Sequence, residues 1–349
     1  MGMPARLWII AVCVMAVVAG CSDPGPLPAG PTIVVLQSPD LPDGLSVVSP
    51  AVLGLNLALG GSPVDLRVLA ADPAGEAARQ AAADPSVIGV VVAPFTLAGP
   101  AAMTSLASAG VPVMSLSALD DPPVDRARWW RLVPSGRELA VATVDVAVDA
   151  VPDGCIIAEP GTWSTLMAAR IEKAAHGTGY ARANSPEGCD GLIWSGSAAG
   201  ARVLRDEHVG AMILTDQART DGFIGTGTAA TFGVCGCRDI STSARPGDQA
   251  FIHDFQEATG LDPGPYAAEG YDAGMMILHA TGAVGATRQG LAQGLASVGP
   301  FAGVARRYAW GPDGEPEPPI VRIYQAEGVR WLPAGRAALG RVARTGGET

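Results

Sequence analysis

One rhythm constrains this chain more than any other feature. From Thr32 onward, short apolar runs rich in β-branched residues alternate with segments of helical length. TIVVLQ (32–37) reads as a strand, SPAVLGLNLALGG (49–61) as a helix closed by glycines, and VDLRVLAAD (64–72) as a strand with one wetter face. PAGEAARQAAAD (73–84) is alanine-rich and helical, and VIGVVVAP (87–94) is an unbroken apolar run, the mark of a strand buried on both faces. GPAAMTSLASAG (99–110) and VPVMSLS (111–117) follow as helix and strand. This order predicts a parallel sheet with helices on both sides.

The rhythm then starts again. ELAVATVDVAVDAV (138–151) is helical, CIIAE (155–159) a strand, STLMAARIEKAAH (164–176) a helix, GLIWSG (191–196) a strand, AGARVLRDEH (199–208) a helix and AMILTD (211–216) a strand. Two such modules meet near DDPPVDRARWWRLVPSG (120–136). Two further helices, DQAFIHDFQEAT (248–259) and EGYDAGMMILHAT (269–281), precede a tail, YAWGPDGEPEPPIVRIYQAEGVRWLP (308–333), that reads as two strands around a polar turn. Elements of such different character predict a chain that returns to modules it has already left.

The N-terminus has its own logic. Leu7 to Gly20 is apolar or small throughout, with Arg6 the only charge before it. As a helix the run is about 21 Å long, short of a membrane span, so it reads as a secretory signal peptide over residues 1–20. Val18-Ala19-Gly20-Cys21 resembles the lipobox of bacterial lipoproteins. That resemblance implies cleavage before Cys21, a diacylglycerol on its thiol and an acyl chain such as palmitate on its new amine. An ordinary signal, cut elsewhere with Cys21 incidental, is the alternative. Residues 21–30 would then tether a domain to the outer face of the cell membrane.

The net charge is −11, and −12 once Arg6 leaves with the signal, which argues against nucleic acid or anionic lipid as a partner of the folded part. Cys13 leaves too, and Cys155, Cys189, Cys235 and Cys237 remain, with three possible pairings. If the strands at CIIAE and GLIWS are neighbours, Cys155 and Cys189 lie at one end and could bridge. Cys235-Gly236-Cys237 has no histidine near it in sequence, so a second disulfide or two free thiols is expected there rather than a metal site.

The order of segments resembles the type I periplasmic binding proteins, specifically the branched-chain-amino-acid-type substrate-binding receptors of ABC importers. ADPSVIGVVVAPFTLAGPAAMTSLASAGVPVMSLSALDDP (83–122) carries the best local match, joined by RLVPSGRELAVA (131–142), GYDAGMMILHA (270–280) and WGPDGEP (310–316). The resemblance implies an α/β fold of two Rossmann-like lobes with parallel sheets, joined by three crossovers. Lobe one would take residues 31–132 and 249–307, and lobe two 133–248 and 308–340. It also implies a small-molecule ligand, an amino acid or similar carboxylate, clamped in a gap between the lobes and delivered to ABC permease subunits. A ligand sensor without transport and a surface lipoprotein with a degenerate cleft are the alternatives on the same fold.

Ligands of open parallel sheets sit beyond the carboxyl ends of the strands. On the receptor pattern, Thr96, Ser115 and Ser117 supply hydroxyls for a ligand carboxylate, and Asp216 answers its ammonium. Thr162 stands where a tyrosine is expected, with Trp163 beside it to cover an apolar ligand, and Leu119 replaces a family hydroxyl. For each, a residue that merely caps the next helix is the plainer reading.

No catalytic constellation emerges, and no enzyme is expected. His176, His208, His253 and His279 fall within or at the ends of helix-like segments. GSAAG (196–200) lacks the central serine of a nucleophile elbow, and GTGTAA (225–230) follows no clear strand. No cofactor or metal is expected.

Overall fold

The computed structural model describes residues 30–39, 48–72, 74–120, 122–123, 126–208, 210–219, 230–241, 243–328 and 330–336. The signal peptide, Cys21, all but the last residue of the tether, residues 225–229 of the GTGTAA motif and lobe two beyond Arg336 lie outside these residues.

The first half builds one sheet. β1 (Thr32–Gln37), α1 (Pro50–Leu59), β2 (Asp65–Ala70), α2 (Glu76–Ala83), β3 (Val87–Val92), α3 (Pro100–Ser108), β4 (Val113–Ser115) and β5 (Trp129–Arg131) follow in chain order. All five strands pair in parallel, in the order β2-β1-β3-β4-β5. β1 and β3 are buried along their whole length, as expected of apolar runs covered by helices on both faces. β5 has no counterpart in the sequence pattern. It is three residues long and sits among prolines and arginines, too short to show a period, and Trp129 and Trp130 bury it.

α4 (Gly136–Ala150) opens with a capping box in which Ser135 and Glu138 satisfy each other's backbone N–H groups. β6 (Asp153–Ala158), α5 (Thr162–Ala174), β7 (Gly179–Arg182), β8 (Gly191–Ser195), α6 (Ala198–Glu207), β9 (Ala211–Leu214), a 3-10 turn (Asp216–Ala218) and β10 (Thr231–Cys235) complete the second run. After α7 (Pro246–Thr259), α8 (Ala267–Val284) and α9 (Arg288–Ser297) come the short β11 (Phe301–Ala302) and β12 (Arg307–Tyr308). β13 (Arg322–Glu327) and β14 (Arg330–Arg336) close the described chain. The second sheet runs β14-β13-β10-β9-β8-β6-β7, parallel from β10 to β7 and antiparallel at β13 and β14.

The late elements divide between the sheets. α8 packs on α1 and α9 on β3, both in the first half, whereas β13 and β14 extend the second sheet. Glycine makes the first contact close: a Cβ on Gly270 would lie 1.9 Å from the Ala51 carbonyl oxygen, and one on Gly54 2.0 Å from that of Ala267. The tail differs from its sequence reading. WGPDGEP makes a local turn closed by a bridge between Trp310 and Pro316, and the hairpin that pairs turns later, after Glu327.

β6 and β8 are parallel neighbours, and Cys155 is bonded to Cys189 at the entry to β8. Cys235 and Cys237 are bonded to each other. One continuous apolar cluster runs from β1, β3 and α1 through Phe95, Trp163 and Tyr266 to β8, β9 and Trp331, so it spans both sheets. A second lies on the opposite face of the first sheet, under α2 and α3.

Candidate functional site

β3, β4 and β9 place Phe95, Ser115 and Asp216 at their carboxyl ends, where the two sheets face each other. The hydroxyls expected to hold a carboxylate are engaged within the protein. Ser115 Oγ donates to Asp120 Oδ2 at 2.8 Å, and Ser117 Oγ donates to the Thr96 carbonyl at 2.6 Å. Thr96 Oγ1 accepts the Ser38 N–H at 2.9 Å. Asp120 also takes the Ala98 N–H at 3.1 Å, which fixes the loop after β3. Arg131 holds this layer from β5: its guanidinium donates to the Ser117 and Asp120 carbonyls at 2.5 and 2.7 Å and to Glu315 at 3.0 Å. A hydroxyl has one proton to give. Neither serine retains one for a ligand.

Three aromatic rings occupy the space between the sheets. Phe95 meets Trp163 edge-on at 5.3 Å and 83°, and Tyr266 at 5.7 Å and 86°. Phe95 follows β3, Trp163 sits in the first turn of α5, and Tyr266 is the N-cap of α8. Phe95 (φ 61°) and Tyr266 (φ 67°) are the only non-glycine residues in the left-handed region among the described residues. That conformation costs about 1–3 kcal/mol for an ordinary side chain and collects at functional sites. Here both cases lie in one contact.

Asp216 completes the group. Its Oδ2 accepts the Tyr266 hydroxyl at 2.5 Å. Burial pushes its pKa up to about 6, against the opposing pull of the Tyr266 bond, the Gln217 N–H and the Arg219 charge. Among the described residues its Oδ1 has no hydrogen-bond partner, and neither have Ser49 Oγ, Thr215 Oγ1 and Trp163 Nε1. A buried polar atom left unmatched costs about 1–3 kcal/mol. Ser49, Pro50, Pro94, Phe95, Asp216 and Tyr266 line a cavity of about 10 Å³. That is room for roughly one water molecule.

Among the described residues the open gap expected between Thr96 and Asp216 is therefore absent: the two residues are 0 % and 2 % exposed, and the rings close the space between the sheets. Of the six residues singled out from sequence, Trp163 and Asp216 belong to this group, and Thr96 stands next to it in the chain behind Phe95. Ser115 and Ser117 support the loop, and Thr162 is exposed to solvent at the start of α5. Ser197, just after the end of β8, caps α6 through its hydroxyl and donates to Glu159 Oε1 at 2.8 Å. Phe95, Tyr266 and Ser49 were missed. Only the Pro263-Gly264-Pro265-Tyr266 turn ahead of a helix could have signalled Tyr266. His253, Asp254 and Glu257 also bring possible ligand atoms within 4.8 Å of one another on the exposed face of α7, a trio that stays wholly in solvent.

No protein-family model matches the chain, and no curated protein matches it in sequence. Solved structures match throughout. A leucine-binding protein from Thermotoga maritima superposes with a TM-score of 0.70 at 16 % identity, covering 88 % of this chain and 98 % of its own. A solute-binding protein of an ABC transporter from R. palustris, solved with benzoate, gives 0.68 at 14 % identity and covers 90 % and 99 %. A branched-chain amino acid transporter substrate-binding protein from Streptococcus pneumoniae, solved with isoleucine, gives 0.68 at 13 % identity and covers 88 % and 99 %. The chain shares with them the α/β fold of type I periplasmic binding proteins, with parallel sheets flanked by helices.

Proposed function

We propose that this chain is a solute-binding receptor that closes two lobes on a small molecule and presents it to an ABC importer outside the cytoplasm. Lobe one takes residues 31–132 and 249–307 and lobe two residues 133–248 and 308–340, with a lipid on Cys21 as the anchor. The carrying observation is the pair of strained aromatics, Phe95 and Tyr266, set against the half-satisfied carboxylate of Asp216 between the sheets. Strain and an unmatched buried oxygen are both stability costs, and both sit where strand ends of the two sheets meet. A ligand that enters between Trp163 and Asp216 on one side and Phe95 and Tyr266 on the other would match that oxygen. The fold's neighbours, two of them solved with isoleucine and benzoate, support the binding of a small solute.

A surface lipoprotein whose cleft has been filled in is the second reading, favoured by the cavity of about 10 Å³. One experiment separates the two. Thermal unfolding of the detergent-solubilised full chain is followed against a panel of amino acids, aromatic acids and amines, with native mass spectrometry for a solute that co-purifies. A ligand at a hundred times its Kd adds about 2.7 kcal/mol of stability. A panel without any upward shift, and a chain that carries nothing, would leave the filled-cleft reading standing.

A further inference from the structure

We infer that the solute is a methylated ammonium cation, seated between Trp163 and Tyr266 with its charge against the free oxygen of Asp216. This inference rests on the receptor reading above and names its ligand class.

The first support is the chemistry of the walls. Phe95 meets Trp163 and Tyr266 edge-on at 5.3 and 5.7 Å, so a ligand that parts the sheets here would be met by three aromatic rings. Aromatic faces attract cations, and tryptophan does so most strongly. Pro50, Pro94 and Pro265 line the rest of the cavity and offer no N–H. A methylated ammonium presents C–H surface to such walls and still carries its charge.

The second support is a count of hydrogen-bond partners. A primary ammonium has three protons to place. The cavity offers two uncommitted acceptors, Asp216 Oδ1 and Ser49 Oγ. One N–H would therefore face rings and prolines at a cost of about 1–3 kcal/mol. A quaternary ammonium leaves none unmatched, because it needs only the carboxylate's charge. Asp216 is 2 % exposed, so that charge acts in a poorly screened place.

The third support is what the site lacks. An α-amino acid brings a carboxylate, and the protons of Ser115 and Ser117 are already given to Asp120 and to the Thr96 carbonyl. The two serines at the end of β4 thus have no proton left for a carboxylate, whereas Asp216 keeps a carboxylate oxygen, Oδ1, for a cation. The chain's own charge of −11 also favours the approach of a cation.

Calorimetric titration of the full chain with choline, tetramethylammonium, 3,3-dimethylbutan-1-ol (the neutral isostere of choline) and leucine tests this. Choline and tetramethylammonium should bind, the neutral isostere at least tenfold more weakly. Asp216→Asn and Trp163→Leu should each weaken choline at least tenfold while unfolding cooperatively on heating. Equal binding of choline and its neutral isostere would overturn the inference, as would choline binding untouched by either substitution. Leucine binding without choline binding would overturn the ligand class and keep the receptor reading. No binding by any of the four, with no solute found on the purified chain, would remove both.

Discussion

The Tyr266 hydroxyl donates to Asp216 Oδ2 at 2.5 Å, and this bond ties the start of α8, a helix packed on the first half of the chain, to the end of β9 in the second sheet. The closed arrangement therefore rests on a carboxylate whose other oxygen is unmatched. Two measurable consequences follow from how that carboxylate and its aromatic neighbours are held.

The first concerns pH. Burial raises the Asp216 pKa from 3.8 to about 6 in the folded chain. Between those values the folded state keeps a proton that the unfolded state has lost, so this group's contribution to stability falls as pH rises through the window. At neutral pH the ionised group costs on the order of 3 kcal/mol, at 1.36 kcal/mol per pKa unit. Asp216→Asn should accordingly unfold at a higher urea concentration than the parent at pH 7.5, with the difference closing towards pH 4. A difference that stays constant across that range would show that the carboxylate's ionisation is not what the fold bears. The same substitution should weaken a cationic ligand, so stability and binding should move in opposite directions.

The second concerns the backbone at Phe95, whose φ of 61° suits glycine. Phe95→Gly and Phe95→Ala remove the same aromatic contacts, so comparing them isolates the backbone. The glycine variant should be more stable than the alanine variant by about 1–2 kcal/mol, the cost of the left-handed region for a side chain with a Cβ. At Ala140, buried in α4, glycine should instead be the worse residue by about 1 kcal/mol. Chemical denaturation of the four chains checks both signs, and alanine equal to glycine at position 95 would remove the argument from strain.

These residues also show where the sequence stops being readable. β1 and β3 were legible because apolar runs of six residues have one physical use in a sheet covered on both sides. The strand ends were legible for the same reason, and they led to Asp216 and Trp163. Which side chain fills the space between two sheets is set by contacts far apart in sequence: Phe95, Trp163 and Tyr266 come from three elements. The resemblance put weight on Thr96, whereas the left-handed turn before it sends Phe95 to the cleft instead. The serines looked like ligand hydroxyls because their partners, Asp120 and a carbonyl at Thr96, are fixed only by the fold. β7 and β10 were missed because an edge strand of four residues and a strand beginning just after 220–229 offer no clear period.

The disulfides should differ sharply in what they contribute. Cys155 and Cys189 are separated by 34 residues and tie β6 to the entry of its neighbour β8. The chain-entropy model assigns a loop of that size about 3.5–4 kcal/mol. Cys235 and Cys237 are separated by two positions and close almost no loop, so their bond removes little freedom from the unfolded chain. Replacing Cys155 and Cys189 together by alanine should cost several times more stability than replacing Cys235 and Cys237 together. Denaturant melts of the two double variants, with peptide mapping to establish the bonds, decide it; equal losses would mean that packing around the sulfurs outweighs loop closure.

Gly270 and Gly282 lie on the same helix, α8, and should answer alanine in opposite ways. A Cβ at Gly270 would meet the Ala51 carbonyl oxygen at 1.9 Å, and backbone atoms of α1 cannot rotate aside as a side chain would. Gly270→Ala must therefore push α8 off α1, at the 1–3 kcal/mol or more typical of overpacking. Gly282 has nothing within 4 Å of its Cβ position and is exposed. Gly282→Ala should gain up to about 1 kcal/mol from helix propensity alone, less whatever fraying near the helix end removes. The comparison also reaches the cleft, because Tyr266 is the residue that opens α8. Displacing the helix should carry Tyr266, one wall of the proposed ligand site, out of place, so Gly270→Ala should weaken ligand binding as well as stability, and Gly282→Ala should leave binding unchanged. Urea melts and calorimetric titration of the two variants give all four signs, and a Gly270→Ala chain as stable as the parent would show that α1 and α8 are not held together by that close approach.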